Sequence, residues 1–114
     1  MRKSGWMLAP LAAAVAVLGG CRSTACEDLA KAYAEVARKS QPCLEHAPLP
    51  PFDPTRCEQN LQQCGGEDLD QIDAQIECYR ALGTCDPGQK ASFLQGITHC
   101  DSHVLSNTCE AAIF

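Results

Sequence analysis

Eight cysteines, Cys26, Cys43, Cys57, Cys64, Cys78, Cys85, Cys100 and Cys109, run through this 114-residue chain, and a ninth, Cys21, precedes them. An even, dense set in so short a chain reads as a disulfide framework rather than a store of thiols. A domain of this size buries only about 60 to 65% of its unfolded surface, so cross-links at about 2 to 4 kcal/mol each supply much of its net stability. Cys57 and Cys64, like Cys78 and Cys85, stand seven apart, nearly two helical turns, which makes an internal echo C-x6-C-x13-C-x6-C. The ninth cysteine makes the count odd and needs its own explanation.

That explanation lies upstream. Arg2 and Lys3 give a positive start, "WMLAPLAAAVAVL" follows as an uncharged run, and Gly19 and Gly20 supply small residues before Cys21. The run is too short to span a bilayer comfortably and has the form of an export signal. "LGGC", residues 18 to 21, resembles the lipobox of bacterial lipoproteins. The resemblance implies that residues 1 to 20 are removed, that Cys21 carries a lipid on its thiol, and that the protein is held to a membrane by it. Residues 21 to 24 are then a short tether and residues 25 to 114 a cysteine-rich domain. Arg22 stands where aspartate retains many lipoproteins in the inner membrane, so the family's sorting rule points to the outer membrane, facing the periplasm. In a one-membrane bacterium the address is the outer face of the plasma membrane. The bland alternative is an ordinary secretory signal with Cys21 in a disulfide. Lipidation also removes the one cysteine that would be left unpaired, so the two readings support each other.

From Cys21 onward, 7 basic side chains face 14 acidic ones, a formal charge of −7. That argues against nucleic acid and against adhesion to anionic headgroups, which need a basic patch. The periodicity predicts an all-α fold, a small disulfide-stapled bundle of about four short helices. The first covers roughly Ala25 to Lys39, with Cys26, Leu29, Tyr33, Val36 and Ala37 on one stripe, and Pro42 ends it. "HAPLPPFDP" is an extended connector. Asp53-Pro54 opens a second helix running to about Cys64, with Gly65 expected as the left-handed residue that closes it. The third begins in "EDLDQID", carries Leu69, Ile72, Ile76, Tyr79 and Leu82, and is closed by Gly83. Asp86-Pro87 opens the fourth, with Phe93, Ile97, Cys100 and Val104 as its stripe.

If these helices alternate up and down, Cys57, Cys78 and Cys85 fall near one end and Cys64, Cys100 and Cys109 near the other. The favoured pairing on that geometry is Cys57–Cys78, Cys64–Cys100, Cys43–Cys85 and Cys26–Cys109, one of 105 connectivities.

Candidate chemistry is sparse. His99 and His103, four apart on a helix with Asp101 near by, offer two imidazoles, but zinc wants three or four ligands, and two solvent-facing histidines flanking a buried cystine is the simpler reading. The cluster Glu67, Asp68, Asp70, Asp73 and Glu77 lacks the alternation and central glycine of a calcium loop and suits a helix N-terminus. No Cys-x-x-Cys, nucleophilic serine motif or phosphate loop is present. The expectation is therefore no catalytic residue, no metal, no cofactor and no enzyme.

As a whole the chain resembles the small cysteine-rich lipoproteins of unassigned function that are numerous in myxobacteria. That resemblance implies a fold style and an address, not an activity. Helical lipoproteins also include pilotins and assembly factors, which bind partners in grooves, an analogy only. The expected function is a membrane-anchored, non-catalytic module that binds an envelope protein, with Ile113 and Phe114 as apolar surface beyond the last cross-link. The alternatives are a passive structural or surface lipoprotein and, more distantly, a metal-binding or small hydrolytic protein.

Overall fold

The computed structural model describes residues 24–114. The signal segment, the LGGC motif and Cys21 lie outside the described residues. Five helices and no strand make up the described domain: α1 (Ala25–Ser40), α2 (Pro54–Asn60), α3 (Gly66–Ala81), α4 (Lys90–Asp101) and α5 (Asn107–Ile113). Short 3-10 turns at Leu61–Gln63 and Pro87–Gln89 extend α2 and lead into α4. The fold is an all-α domain carrying four disulfides.

Helix α1 buries Cys26, Leu29, Ala32 and Val36 at steps of three and four, and its ends carry Glu27 and Asp28 at the start and Arg38 and Lys39 at the finish, each sign where the helix dipole favours it. Against it lies α3, which contributes Ile72, Ile76 and Tyr79, and α4 adds Phe93, Ile97 and Cys100. Lys39 is a buried lysine with a defined task. Its Nζ donates to the carbonyls of Tyr79 at 3.3 Å and Arg80 at 3.1 Å, the open end of α3, and lies 3.6 Å from Glu35. The cation thus satisfies orphan acceptors at the negative end of the neighbouring helix.

Asp53 opens α2 as expected, accepting from the N–H groups of Thr55 (3.0 Å) and Arg56 (3.4 Å) with Pro54 in the first turn. Gly65 differs from expectation. Its φ of −83° and ψ of 179° are extended, and no described residue has a positive φ. Gly65 therefore starts α3 instead of closing α2, and its N–H donates to Asp68 at 3.0 Å. Gly83 likewise is not left-handed; α3 ends when Leu82 turns extended.

Helix α4 stops at Asp101, so Val104 falls beyond it and is 73% exposed, while Leu105 takes the core position. Helix α5 is the fifth, unexpected element. Ser106 caps it, accepting from Cys109 N–H at 3.3 Å, and seven residues are too few for a periodic stripe to stand out.

All eight described cysteines are paired, as Cys26–Cys57, Cys43–Cys85, Cys64–Cys109 and Cys78–Cys100. Cys43–Cys85 is common to the expected and observed sets. Cys57–Cys78, Cys64–Cys100 and Cys26–Cys109 are not formed. The expected geometry put the second helix beside the third, whereas α2 packs on α1 and on α5. Cys57 consequently meets Cys26, Cys64 meets Cys109, and Cys78 is left to Cys100 across the α3–α4 contact.

Candidate functional site

The most distinctive surface of the domain is organised around four aromatic rings. Tyr33 from α1 sits 5.4 Å from Phe52, 5.6 Å from Tyr79 in an edge contact and 6.3 Å from Phe114, and Phe52 and Phe114 lie 5.5 Å apart. Such separations are those of attractive aromatic pairs. They also correct half of an expectation. Ile113 is 1% exposed and belongs to the core, whereas Phe114 joins the cluster and is still 39% exposed, so of the two C-terminal residues Phe114 alone presents apolar surface beyond the last cross-link.

On one flank of this cluster runs a groove of about 450 Å3. Its floor is Ala30, Ala34 and Ala37 of α1, at i, i+4 and i+7, and its wall is the connector from Ala47 to Phe52. Prolines 48, 50 and 51 hold that connector extended without demanding hydrogen bonds, and alanines under it leave the space unfilled. Every lining side chain is apolar except for the hydroxyl of Tyr33.

On the other flank is a smaller, polar pocket of about 190 Å3, bounded by Gln75, Asp101, His103, Glu110 and Phe114 and floored by Leu105. Tyr79, fully buried, donates its hydroxyl to Asp101. Burial pushes the Tyr79 phenol up, reinforced by that hydrogen bond. Burial, with the negative charge of Asp101 behind it, pushes Tyr33 up to about 12. Both phenols therefore stay neutral at physiological pH, and Tyr79 serves as a donor to Asp101.

The acidic cluster divides. Asp68 is buried and works as a tie: its Oδ1 accepts from Ser106 N–H (2.8 Å), and its Oδ2 accepts from Ser106 Oγ (2.8 Å) and Gly65 N–H (3.0 Å). These donors, the Ser106 and Gly65 amides first, hold its carboxyl below the usual carboxylate value. Asp73 moves the opposite way, raised by burial and then by the like charges of Asp70, Glu77 and Asp28. No three of these carboxylates converge within 4.8 Å as the ligands of one ion would. Glu67 and Asp70 instead line a shallow cleft of about 360 Å3 beside Val104.

His99 and His103 face each other at 6.3 Å between ring centroids. No third ligand joins them, because Cys64, Asp68 and Cys109 are the sole described trio with ligand atoms inside 4.8 Å. That trio is itself occupied: its sulfurs are bonded to each other and its carboxylate to Ser106 and Gly65.

Gln75, Glu110, Ala30 and Ala34 carry no sequence signal of a site, and Ala37 reads only as part of the apolar stripe of the first helix. The alanine spacing was visible in the sequence, but alanine at helical intervals is ordinary. Nothing local marks Gln75 and Glu110, whose meeting depends on how α5 folds back. The chain matches no family model, no curated protein and no solved structure.

Proposed function

We propose that this protein is an exported, lipid-anchored module of the cell envelope whose helical domain holds a partner protein in the groove between α1 and the proline-rich connector. The observation that carries the binding role is the groove itself: about 450 Å3 of open, apolar space on a domain whose other large apolar side chains are mostly buried. Apolar surface left open in this way is where partners dock. The occupant is an apolar segment of an envelope protein with a basic or neutral surround, because the chain from Cys21 onward carries −7.

Four disulfides are compatible with an exported, non-cytoplasmic protein. No helix among the described residues is long and apolar enough to cross a membrane. Attachment through Cys21 is supported by the LGGC motif and by the pairing. With all eight later cysteines bonded to one another, none remains in the chain as a disulfide partner for Cys21. Arg22 favours the outer membrane by the lipoprotein sorting rule, and the domain would then face the periplasm.

Two measurements test this reading. Mass spectrometry of the membrane-extracted protein should show a lipid-sized increment on a peptide beginning at Cys21; an unmodified amino terminus there defeats the anchor. Cross-linking in intact cells should recover one reproducible envelope protein with the native chain and lose it with Ala34→Arg, which fills the groove from an exposed helix position. If both chains recover the same abundant membrane proteins, the domain is a passive surface component.

A further inference from the structure

The polar pocket beside Phe114 is rich in acceptors, two of them carboxylates. Gln75 is 7% exposed, and its Oε1 is buried without a hydrogen-bond donor among the described residues. A buried acceptor left unmade costs about 1 to 3 kcal/mol, and folded proteins retain one for a reason. Two carboxylates line the same pocket. Asp101 uses one oxygen for the Tyr79 hydroxyl, and Glu110 forms neither an ion pair nor a side-chain hydrogen bond with any described residue. Three neighbouring side chains thus offer acceptors, two of them charged carboxylates, against the Gln75 amide N–H groups and His103 as the donors that line the pocket.

What fits is a cation carrying several donors. A single metal ion does not, because metal–oxygen bonds of roughly 2.0 to 2.6 Å require ligands that converge, and Asp101, His103 and Glu110 are not among the ligand sets that lie within 4.8 Å of one another. A guanidinium spreads five N–H donors over a rigid planar fork, and its face stacks on aromatic rings, which Phe114 supplies. The space, about 190 Å3, equals roughly six waters at about 30 Å3 each, enough for that head and part of its stem.

We propose that this pocket receives a guanidinium group from an arginine side chain of a partner protein, with Asp101 and Glu110 supplying the charge, Gln75 accepting one N–H and Phe114 lying against the plane. A protein source is favoured over a free small cation by the surroundings. Val104, 73% exposed, stands at the pocket rim, so apolar contact is available to the residues flanking the arginine. The proposal rests on the pocket alone and survives if the groove proves empty.

The test is titration of the full-length oxidised protein, followed by NMR, with N-acetyl-arginine methylamide, its neutral isostere N-acetyl-citrulline methylamide, ethylguanidinium and calcium chloride. The arginine derivative should give saturable shifts at the Gln75 side-chain amide and at residues 101 to 110, with the citrulline compound at least about tenfold weaker, as expected for losing a charge-assisted contact. Glu110→Gln should weaken arginine binding by about tenfold with unchanged thermal stability. Gln75→Leu, which removes the orphan acceptor, should weaken it while keeping or raising stability. Equal affinity for arginine and citrulline derivatives, or saturable calcium binding in place of arginine, overturns the guanidinium assignment. Ethylguanidinium binding as tightly as the arginine derivative overturns the partner-protein source. Gln75→Leu that destabilises the fold and leaves arginine affinity intact makes Gln75 a structural residue and overturns its role.

Discussion

Helices α1, α3 and α4 cohere through buried side chains, whereas α2 and α5 are held mainly by covalent and polar ties. The first three supply Leu29, Ala32, Val36, Ile72, Ile76, Tyr79, Phe93 and Ile97 to the core. By contrast α2 buries only Cys57, and α5 only Cys109 and Ile113. Their attachment comes from Cys26–Cys57 and Cys64–Cys109, from Arg56, which donates to the carbonyls of Ala111 (3.1 Å) and Ala112 (3.4 Å), and from the Asp68–Ser106 tie. A chain too short to surround a core on all sides has both packed and cross-linked one side, where Cys78–Cys100 and Cys43–Cys85 lie, and holds the other by staples and polar ties with little packing. Both proposed binding surfaces lie at the seam between the two, where Phe52 and Phe114 meet Tyr33.

The contrast breaks most visibly if the staple is cut. Replacing Cys64 and Cys109 together by serine should cost up to about 4 kcal/mol, the chain-entropy value for a separation of 45 residues. The loss should be local first: hydrogen exchange of amides 107 to 113 speeds up while those of Ile76 and Tyr79 stay protected. Uniform loss of protection across all five helices would show one cooperative unit and end the two-region description.

Tyr79→Phe probes the packed side. It removes the hydroxyl that donates to Asp101 and keeps the ring, so the expected cost is about 1.5 kcal/mol, the low end for a bond to a charged group because exposed Asp101 can rehydrate. The alkaline limb gives a second readout. Phenols whose folded pKa is raised contribute stability that is full below the unfolded value of 10.0 and lost as pH climbs toward about 12 for Tyr33 and further for Tyr79. Urea midpoints across that interval should fall steeply in the native protein and less in Tyr79→Phe, which retains only one such phenol.

Asp68 probes the tie between the two regions, with the opposite sign. Its folded pKa lies below the ordinary 3.8, so its contribution is full above that value and disappears as pH falls through the lower folded one. Acidification should therefore expose α5 before α1 and α3, and Asp68→Asn should weaken the tie at neutral pH and flatten the acid limb. An acid transition in which α5 and α3 lose protection together would place the weak point elsewhere.

The packed side was also the legible one. The stripes of α1 and α3 follow from Cys26, Leu29, Val36, Ile72 and Ile76 recurring at helical intervals. On the stapled side only the start of α2 was legible, announced by the local capping chemistry of Asp53-Pro54; the rest was not, because its organisation is tertiary. Whether Cys57 meets Cys78 or Cys26 depends on which neighbour the seven-residue α2 chooses, and no local pattern encodes that choice. Gly65 misled for the same reason: a glycine between two helices can close the first or start the second, and Asp68, three residues on, decided it by accepting the Gly65 N–H. The polar pocket needs Gln75, Asp101 and Glu110 from three different helices or their ends, so it becomes visible only once α5 has folded back.

The smallest effect tests how tightly the packed side is really filled. Gly96 lies on α4, and a Cβ added there would come within 2.7 Å of Leu82 Cδ2. Alanine in place of glycine in a helix gains about 1 kcal/mol. The contact is with the tip of a flexible side chain, and Leu82 borders an open cleft of about 320 Å3 running toward Phe93, so a rotamer change at a cost of about 0.5 to 1.5 kcal/mol relieves it. The two terms nearly cancel, and Gly96→Ala should alter stability by less than about 1 kcal/mol in chemical denaturation. Combining it with Leu82→Ala removes the clash, so the glycine replacement should be more favourable in that background than in the native one. If Gly96→Ala alone costs the roughly 2 to 3 kcal/mol of an overpacked core, Leu82 has nowhere to turn, and the α3–α4 junction is as constrained as the centre of the α1–α3 contact.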